Sequence, residues 1–565
     1  MTAGELLLDA AARAGHFGTM SRSFGPQIRG GEAAALLRLG CEPVESPDDA
    51  FDLLVALDWG NIERFAEEMP LTADSRVASD SGEVELPMVI AAAGAQHVPL
   101  PLSETAKSVR GGRANLVALG ALARAVGIGD KHVDAAISKR FAQRGSRILE
   151  AALASRKAGA ELPVGQLVEA LPAPDRARIA NDRWNLSGNE AAALGAVRGG
   201  VRFCAAYPIT PATDLLEWLA DVLPRVGGTL VQAEDELASI NMCLGASFGG
   251  TPSLTATSGP GLSLMMETIG LAVASETPLV VVDVMRGGPS TGIPTKSEQT
   301  DLDIAVNGLH GDAPHPVLAP LDTADGVLTT QWAVHLAEKL QTPVLVLSDQ
   351  ALAQSRAIVA PPATAEWRAE RIEPAATPET GYRRYAVTDS GISPMARPGT
   401  TGAIYTAEGL EHDATGRPSS RAGDHVAQLD KRRRKLIEHD FGETWAEIDG
   451  GDEDALAVIT WGSSTRPVRE AVERLRCEGI RIRLIALRLL WPARPAAMAR
   501  ALAGVRRAVV IEQNHSGQLY RLLRAEYSWD CDLNAIHRPG PLPLRPAELT
   551  ESIRAQLADR AEALS

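Results

Sequence analysis

The sequence predicts a multidomain α/β protein whose central domain is built on a parallel sheet. Three observations predict it. Between "SGNEAAALGAVRGG" at 187 and "TPVLVLSDQ" at 342, strand-like apolar runs alternate with helix-like segments. Several of those runs are continuous in hydrophobicity rather than alternating, as strands buried on both faces must be. A second strand, loop, amphipathic helix and strand then follow in "ALAVITWGSSTRPVREAVERLRCEGIRIRLIALRLLWP" and continue through "RAVVIEQN" to the end. A chain of 565 residues has room for three or four such domains.

Taken in order, residues 1–180 carry Ala-rich helical patterns, the strand "DLLVALD" and the basic glycine turn "GPQIRGG", and read as an α/β domain. Residues 184–355 hold the runs "VRFCAAY", "TLVQA", "SLTATS", "LVVVDV" and "PVLVLSD" as successive strands. Function is expected at their carboxyl ends, where the loops of such a sheet gather. Residues 356–450 are rich in Pro, Gly, Thr and charge, with "ISPMARPGTTGAIYT" in the middle, and read as an extended arm or linker with little core of its own. The run "KRRRK" at 431–435 reads as a solvated helix face. Residues 451–565 form the last α/β domain.

Composition narrows the function. With 45% hydrophobic and 22% charged residues the chain is globular, and runs such as "PLVVVDV" are far too short to cross a bilayer. The start "MTAGELLLDAAARAG" has acids and no basic region before an apolar stretch, so no secretory signal is expected and the cytoplasm is. Five cysteines, Cys41, Cys204, Cys243, Cys477 and Cys531, lie far apart with no CxxC pair, which fits a reducing compartment and offers no cluster site of recognisable spacing. A net charge of -15 argues against nucleic-acid binding.

Four loops of the central domain carry unusual residues. In "CAAYPITPATDLLEW" an apolar run ends at Ala206 and is followed by Tyr207, Pro208, Ile209, Thr210 and Pro211. Neither proline can sit in a ladder. Thr210 reads as a helix N-cap with Pro211 at the first helical position, leaving amides free to attract an anion. In "AEDELASINM", Glu234, Asp235 and Glu236 crowd a strand-to-helix junction, where the helix dipole alone accounts for two of the three. "TATSGPGLSLMM" lets backbone approach something closely at Ser258 and Gly259. "RGGPSTGIPTKSEQTDL" offers Arg286 and Lys296 in a long glycine-rich loop suited to a carboxylate or phosphate.

Together "GNEAAALGA", "YPITPATD", "AEDELASINMCLGASF", "TSGPGLSLMMETIGLA", "RGGPSTGIPTKSEQTDL" and "TPVLVLSDQ" resemble, in order, the alpha subunit of 2-oxoacid:ferredoxin oxidoreductases, most of all the 2-oxoglutarate type. "WGSSTRPVREAVERL" and "EQNHSGQLYRLLRAEY" resemble the end of that subunit, and "GPQIRGGEAAALLRL" the gamma domain fused to its front. The resemblance implies a thiamine diphosphate pyrimidine-binding domain at 184–355, a transketolase-like carboxyl-terminal domain and a gamma-type domain that lacks the family's usual first strand and Gly-rich turn. It places the cofactor against Pro208, Ile209, Glu236, Ser258 and Gly259, and the substrate against Tyr207, Thr210, Arg286 and Lys296. Glu236 stands where a carboxyl group bonds the aminopyrimidine nitrogen and drives the tautomer that deprotonates the thiazolium carbon. Arg286 suits a planar carboxylate, and Lys296 suits the distal carboxylate of 2-oxoglutarate. A coenzyme A or nucleotide contact through Arg22 and Arg29 is less expected than a structural loop.

One family feature is missing. No Gly-Asp-Gly segment followed by asparagine, the usual holder of magnesium and diphosphate, is present. The resemblance therefore implies a beta subunit that supplies the diphosphate site, Mg2+ and a [4Fe-4S] cluster, in an (alpha-beta)2 heterotetramer. The implied reaction takes 2-oxoglutarate, coenzyme A and oxidised ferredoxin to succinyl-CoA, carbon dioxide and reduced ferredoxin. Pyruvate, branched-chain 2-oxoacids or indolepyruvate are the alternative substrates. A non-oxidative transketolase-type thiamine enzyme and a scaffold that has lost its site are the alternatives of other classes.

Overall fold

The computed structural model describes residues 1–25, 32–44, 46–82, 85–165, 167–174, 183–293, 296–375, 381–451 and 453–558. The chain packs as two units. The first comprises Met1–Leu186, Ser355–Pro361 and Leu542–Glu548, and the second comprises Ser187–Gln354, Pro362–Pro541 and Leu549–Ser565.

In the first unit a four-stranded sheet runs in the order Ala33–Gly40, Phe17–Phe24, Arg356–Val359, Trp184–Ser187. Its first three strands are antiparallel. The helices Thr2–Ala14, Ala114–Ala125, Asp130–Phe141 and Ser146–Ala160 bury Leu8, Leu119 and Ile137 with Met20 of that sheet. The expected strand "DLLVALD" is Leu53–Ala56, the edge of a three-stranded parallel sheet with Arg76–Asp80 and Gln96–Leu100. Arg22 lies in the strand Phe17–Phe24 and pairs with Glu5 at 3.2 Å. Arg29 lies outside the described residues.

All five strands expected in the central domain are present. They belong to a seven-stranded sheet ordered Leu489–Trp491, Val317–Leu318, Pro343–Asp349, Leu279–Met285, Ser253–Thr257, Phe203–Ala206, Thr229–Gln232. Among the described residues every pairing except the one with Leu489–Trp491 is parallel. Strands Leu279–Met285 and Pro343–Asp349 are buried at every position, which is why their sequences run apolar without alternation. "SGNE" begins the helix Gly188–Gly199 with a capping box. The Glu190 amide donates to Ser187 Oγ at 3.2 Å and the Ser187 amide to Glu190 Oε2 at 2.9 Å, an arrangement whose N-cap contributes about 1 kcal/mol. The small residues that follow serve packing: a Cβ at Gly195 would stand 2.3 Å from the Val327 carbonyl oxygen of the helix Asp325–Leu340.

The carboxyl-terminal sheet is ordered Ala446–Asp449, Ile482–Leu487, Leu456–Trp461, Arg507–Glu512, Asp532–His537, parallel but for its first strand. Sequence periodicity did not separate the central and carboxyl-terminal parts correctly in one respect: the latter lends Leu489–Trp491 to the central sheet, and the buried side chains of both form one hydrophobic cluster.

Two further expectations for residues 356–450 are corrected. Residues 362–375 and 381–421 are irregular, as expected of an arm, but they bury Tyr385, Met395, Ala396 and Ala403. The helix Ala422–Ile437 follows, so the segment is packed rather than coreless. The run "KRRRK" is not a solvated face: Lys431, Arg432 and Lys435 are buried, and only Arg433 is exposed. For the two lysines the reason is a single buried carboxylate, while Arg432 pairs with Glu411 at 2.6 Å. Glu276 accepts from Lys431 Nζ at 2.6 Å and Lys435 Nζ at 3.1 Å, while Arg384 donates to its backbone carbonyl at 2.7 Å. Burial pushes the Glu276 carboxyl up, but Lys435, Lys431 and Arg384 outweigh it and hold it well below the usual carboxylate range. With three cations around one anion the lysines do not share that gain, and burial pulls Lys435 down to about 8.

Candidate functional site

The candidate residues leave the sheet at one end, the carboxyl ends of four neighbouring strands. Phe203–Ala206 delivers Tyr207 to Pro211, Thr229–Gln232 leads to Glu236, Ser253–Thr257 to Ser258 and Gly259, and Leu279–Met285 to Arg286. Ala206 is in register with Gln232, and the Ala233 amide donates to the Ala206 carbonyl at 3.0 Å, so the first two loops depart side by side.

The Tyr207–Pro211 turn differs from expectation. The helix begins at Thr213 with Ala212 as N-cap, so Thr210 does not cap it and Pro211 is not its first residue. The Ile209 carbonyl takes the amides of Ala212 at 2.8 Å and Thr213 at 3.1 Å, which removes the free donors that an N-terminal anion site would need. Proline supplies no donor of its own, so the chain closes a turn on Ile209 before it becomes helical. The turn is held from both sides by groups outside it: Asn189 Nδ2 donates to the Pro211 carbonyl at 3.0 Å, and Arg286 Nη1 donates to the Thr210 carbonyl at 2.6 Å. The structure thus joins Arg286 and Thr210 through the threonine's backbone. Tyr207 is exposed, and Pro208 is partly so.

Glu236 is the first residue of the helix Glu236–Phe248 and is buried. Asp235, exposed, is the N-cap and accepts from the Ala238 amide at 2.7 Å, so it is structural, and Glu234 is exposed as well. The Glu236 side chain reaches the start of the next helix, Gly259–Ala274. A Cβ at Gly261 would meet Glu236 Cγ at 2.7 Å and Thr257 Oγ1 at 2.0 Å, so only glycine lets the carboxyl lie there. Ser258, the N-cap of that helix, is fully buried, and its hydroxyl has no hydrogen-bond partner among the described residues. Gly259 is equally tight, with Asp301 Oδ2 at 2.7 Å from where its Cβ would be.

The long loop after Arg286 is closed at its base, where the Gly287 amide donates to the Lys296 carbonyl at 2.9 Å; Pro294 and Thr295 lie outside the described residues. Lys296 therefore stands beside the residue that follows Arg286. The carboxyl-terminal part of the unit clamps the rest of the loop. Gln299 donates from Nε2 to the Trp461 carbonyl at 2.9 Å and accepts the Gln513 amide at 2.7 Å, and Gln518 Nε2 donates to the Thr300 carbonyl at 2.8 Å. Sequence reading passed over Asn189, Gln299 and Asp301, although all three lie inside the quoted motifs. It also passed over Asp283, the lone acid in "PLVVVDV", and an acid in an otherwise apolar buried strand is a signal in itself.

A buried carboxyl group, an unpartnered buried hydroxyl and glycines that admit close approach thus gather at the carboxyl ends of neighbouring strands. No group of three His, Cys, Asp or Glu suited to an ion occurs among the described residues. The cysteines are all free thiols.

Similarity to known proteins covers the whole of this architecture. Residues 194–431 match the family described as "Pyruvate flavodoxin/ferredoxin oxidoreductase, thiamine diP-bdg", residues 1–162 "Pyruvate ferredoxin/flavodoxin oxidoreductase", and residues 455–546 "Pyruvate:ferredoxin oxidoreductase core domain II". The 2-oxoacid:ferredoxin oxidoreductase subunit alpha of Saccharolobus solfataricus is 35% identical over 462 residues, 78% of this chain and 71% of that one. The 2-oxoglutarate synthase subunit KorA of Methanothermobacter marburgensis is 35% identical over 378 residues, 66% of this chain and 98% of that one. Among solved structures, the 2-oxoglutarate:ferredoxin oxidoreductase from Magnetococcus marinus, with 2-oxoglutarate, coenzyme A and succinyl-CoA bound, superposes with a TM-score of 0.90 at 36% identity, covering 99% of this chain and 97% of that one. The chain belongs to the alpha subunits of the 2-oxoacid:ferredoxin oxidoreductases, with the family's thiamine diphosphate-binding domain at its centre.

Proposed function

We propose that this chain supplies the pyrimidine half of a thiamine diphosphate site in an enzyme that oxidises 2-oxoglutarate with coenzyme A to succinyl-CoA and carbon dioxide, passing electrons to ferredoxin. The observation that carries the reading is the buried Glu236 carboxyl, seated over Gly261 at the end of the parallel sheet. Bound thiamine diphosphate supplies the carbon nucleophile and electron sink that decarboxylation of a 2-oxoacid requires. Glu236 holds and returns a proton at the ring nitrogen of the aminopyrimidine. The Ser258 hydroxyl, which has no partner of its own, and the turn at Pro208 and Ile209 line the same wall. Arg286 offers its guanidinium to the carboxylate next to the keto group, and the Thr210 carbonyl fixes that guanidinium in place. Tyr207, exposed on the same turn, bounds the substrate side.

The chain does not complete the site. No metal-binding cluster is available among the described residues, and apolar side chains close to Glu236 in sequence or on the neighbouring helix face outward: Leu237 is 47% exposed, Met242 43% and Leu264 51%. Such a patch beside a half-site suits a docking subunit. We assign that role to a beta subunit carrying the diphosphate site, Mg2+ and a [4Fe-4S] cluster, in an (alpha-beta)2 assembly of the cytoplasm. The five free cysteines accord with a reducing compartment, and among the described residues no helix is long and apolar enough to cross a membrane.

Substrate choice is tested at Lys296. The distal carboxylate of 2-oxoglutarate needs its own cation, and Lys296 stands next to the Arg286 loop base. Lys296→Ala in the complex is expected to raise the apparent KM for 2-oxoglutarate about ten- to a hundredfold, the worth of a charge-assisted hydrogen bond of roughly 1.5–3 kcal/mol. The KM for pyruvate or 2-oxobutyrate should change little, since neither has a distal charge. Equal increases for all three would move Lys296 to the shared carboxylate and count against 2-oxoglutarate as the preferred acid.

A further inference from the structure

Asp283 is buried without a donor. It lies within the strand Leu279–Met285, in register with Thr257 on one side and Leu347 on the other, and has no exposure. Among the described residues neither of its oxygens receives a hydrogen bond. Asp349, as deeply buried on the adjoining strand, shows how this fold satisfies a carboxylate: it accepts from Ser297 Oγ at 3.0 Å, the Leu352 amide at 3.1 Å and the Ser463 amide at 3.3 Å.

Among the described residues, a second carboxyl, that of Asp301, lies within reach of Asp283. Asp301 Oδ1 accepts the Thr300 hydroxyl at 3.0 Å, while Oδ2, also without a donor, abuts Gly259. Two carboxylates can only accept, so contact between them requires a proton. Burial, and then the charge of Asp301, push Asp283 well above the usual carboxylate range; burial raises Asp301 too.

The charged surroundings are few. Arg286, at the end of the Asp283 strand, acts on Asp301, and the Thr300 hydroxyl lies 3.1 Å from the Arg286 carbonyl. Glu298, from the same loop, is raised by its burial and also feels Asp301. The helix start against the pair presents the neutral Ser258 and Gly259, with Glu236 beyond Gly261, and Asp349 sits on the adjoining strand behind its own donors.

We propose that Asp283 and Asp301 share one proton and present a single negative charge to Arg286, acting as a positioning pair that keeps the guanidinium available for the substrate carboxylate. This rests on the reading of Arg286 as the carboxylate binder. When the shared proton is lost to solvent at alkaline pH, the pair gains a second charge that competes with substrate for Arg286. KM then rises with pH while kcat moves less.

Two measurements test this. Infrared difference spectra of the full chain, wild type minus Asp283→Asn, should show at neutral and mildly alkaline pH a carboxylic-acid carbonyl band that shifts in D2O. In the reconstituted complex the wild-type KM for 2-oxoglutarate should climb on the alkaline side by up to about tenfold per pH unit, the one-proton limit. Asp283→Asn, whose amide still donates to Asp301, should flatten that climb, whereas Asp283→Leu, which strips Asp301 of its donor and frees its charge to turn to Arg286, should raise KM already at neutral pH. The Asn variant keeps size and donor, so the comparison stands even where the Leu variant does not fold. Absence of the acid band, or a KM profile for Asp283→Asn that superimposes on the wild type, overturns the proposal. Failure of the 2-oxoacid reading itself would show differently, as a wild-type complex that turns over no 2-oxoacid.

Discussion

Glu236→Gln should fold normally and lose about a hundredfold or more of its turnover, the span of a positioned acid–base group. Size and polarity are conserved, so the helix Glu236–Phe248 keeps its Asp235 cap and its packing over Gly261. What disappears is the ability to exchange a proton, because an amide neither gives nor takes one at neutral pH. Turnover of the complex at saturating 2-oxoacid and cofactor, beside the thermal unfolding curve of both proteins, separates chemistry from folding. A variant that retains more than about a third of the rate would remove Glu236 from the role given to it.

Glu276→Gln should damage stability instead of chemistry. Lys431 and Lys435 are both buried, and each donates to this one carboxylate. Removing the anion leaves two ammonium groups and the Arg384 guanidinium buried without a counter-charge, a change that costs about 3–5 kcal/mol. The urea midpoint of the full chain should fall accordingly. The pH dependence carries a sign as well. A carboxyl held below its ordinary range contributes stability above that range and loses it as pH falls through its depressed value. Wild type should therefore shed this part of its stability on acidification, and the variant should lack that part of the dependence. A loss under about 1 kcal/mol, the level of an exposed pair, would mean that water reaches the cluster.

The same cluster shows where sequence reasoning reached and where it stopped. The strands of the central sheet were legible because burial on both faces leaves an uninterrupted apolar run, as in Leu279–Met285. The loops that follow were legible because proline, glycine and clustered acids are rare at strand ends without cause. "KRRRK" was misread because the carboxylate that draws it inward lies 155 residues from Lys431. Local charge patterning does not contain that partner. The turn at Thr210 was misread for a related reason. A Thr-Pro pair ahead of a helical pattern looks like a cap, whereas the contacts that shape the turn come from Asn189 and Arg286, 22 and 76 residues from their acceptors. The candidate residues thus lie at the strand ends to which the sequence pointed, while the bonds that hold them became visible only in three dimensions.

The central claim is that this chain holds half of a thiamine site and needs a second subunit for the rest. The most direct measurement is carbon dioxide release from 2-oxoglutarate by the purified chain with thiamine diphosphate, Mg2+, coenzyme A and an electron acceptor, before and after addition of the beta subunit. The account predicts no release and no visible iron–sulfur absorbance from the chain alone, and both on mixing. Release by the chain alone, with no second subunit present, would contradict it.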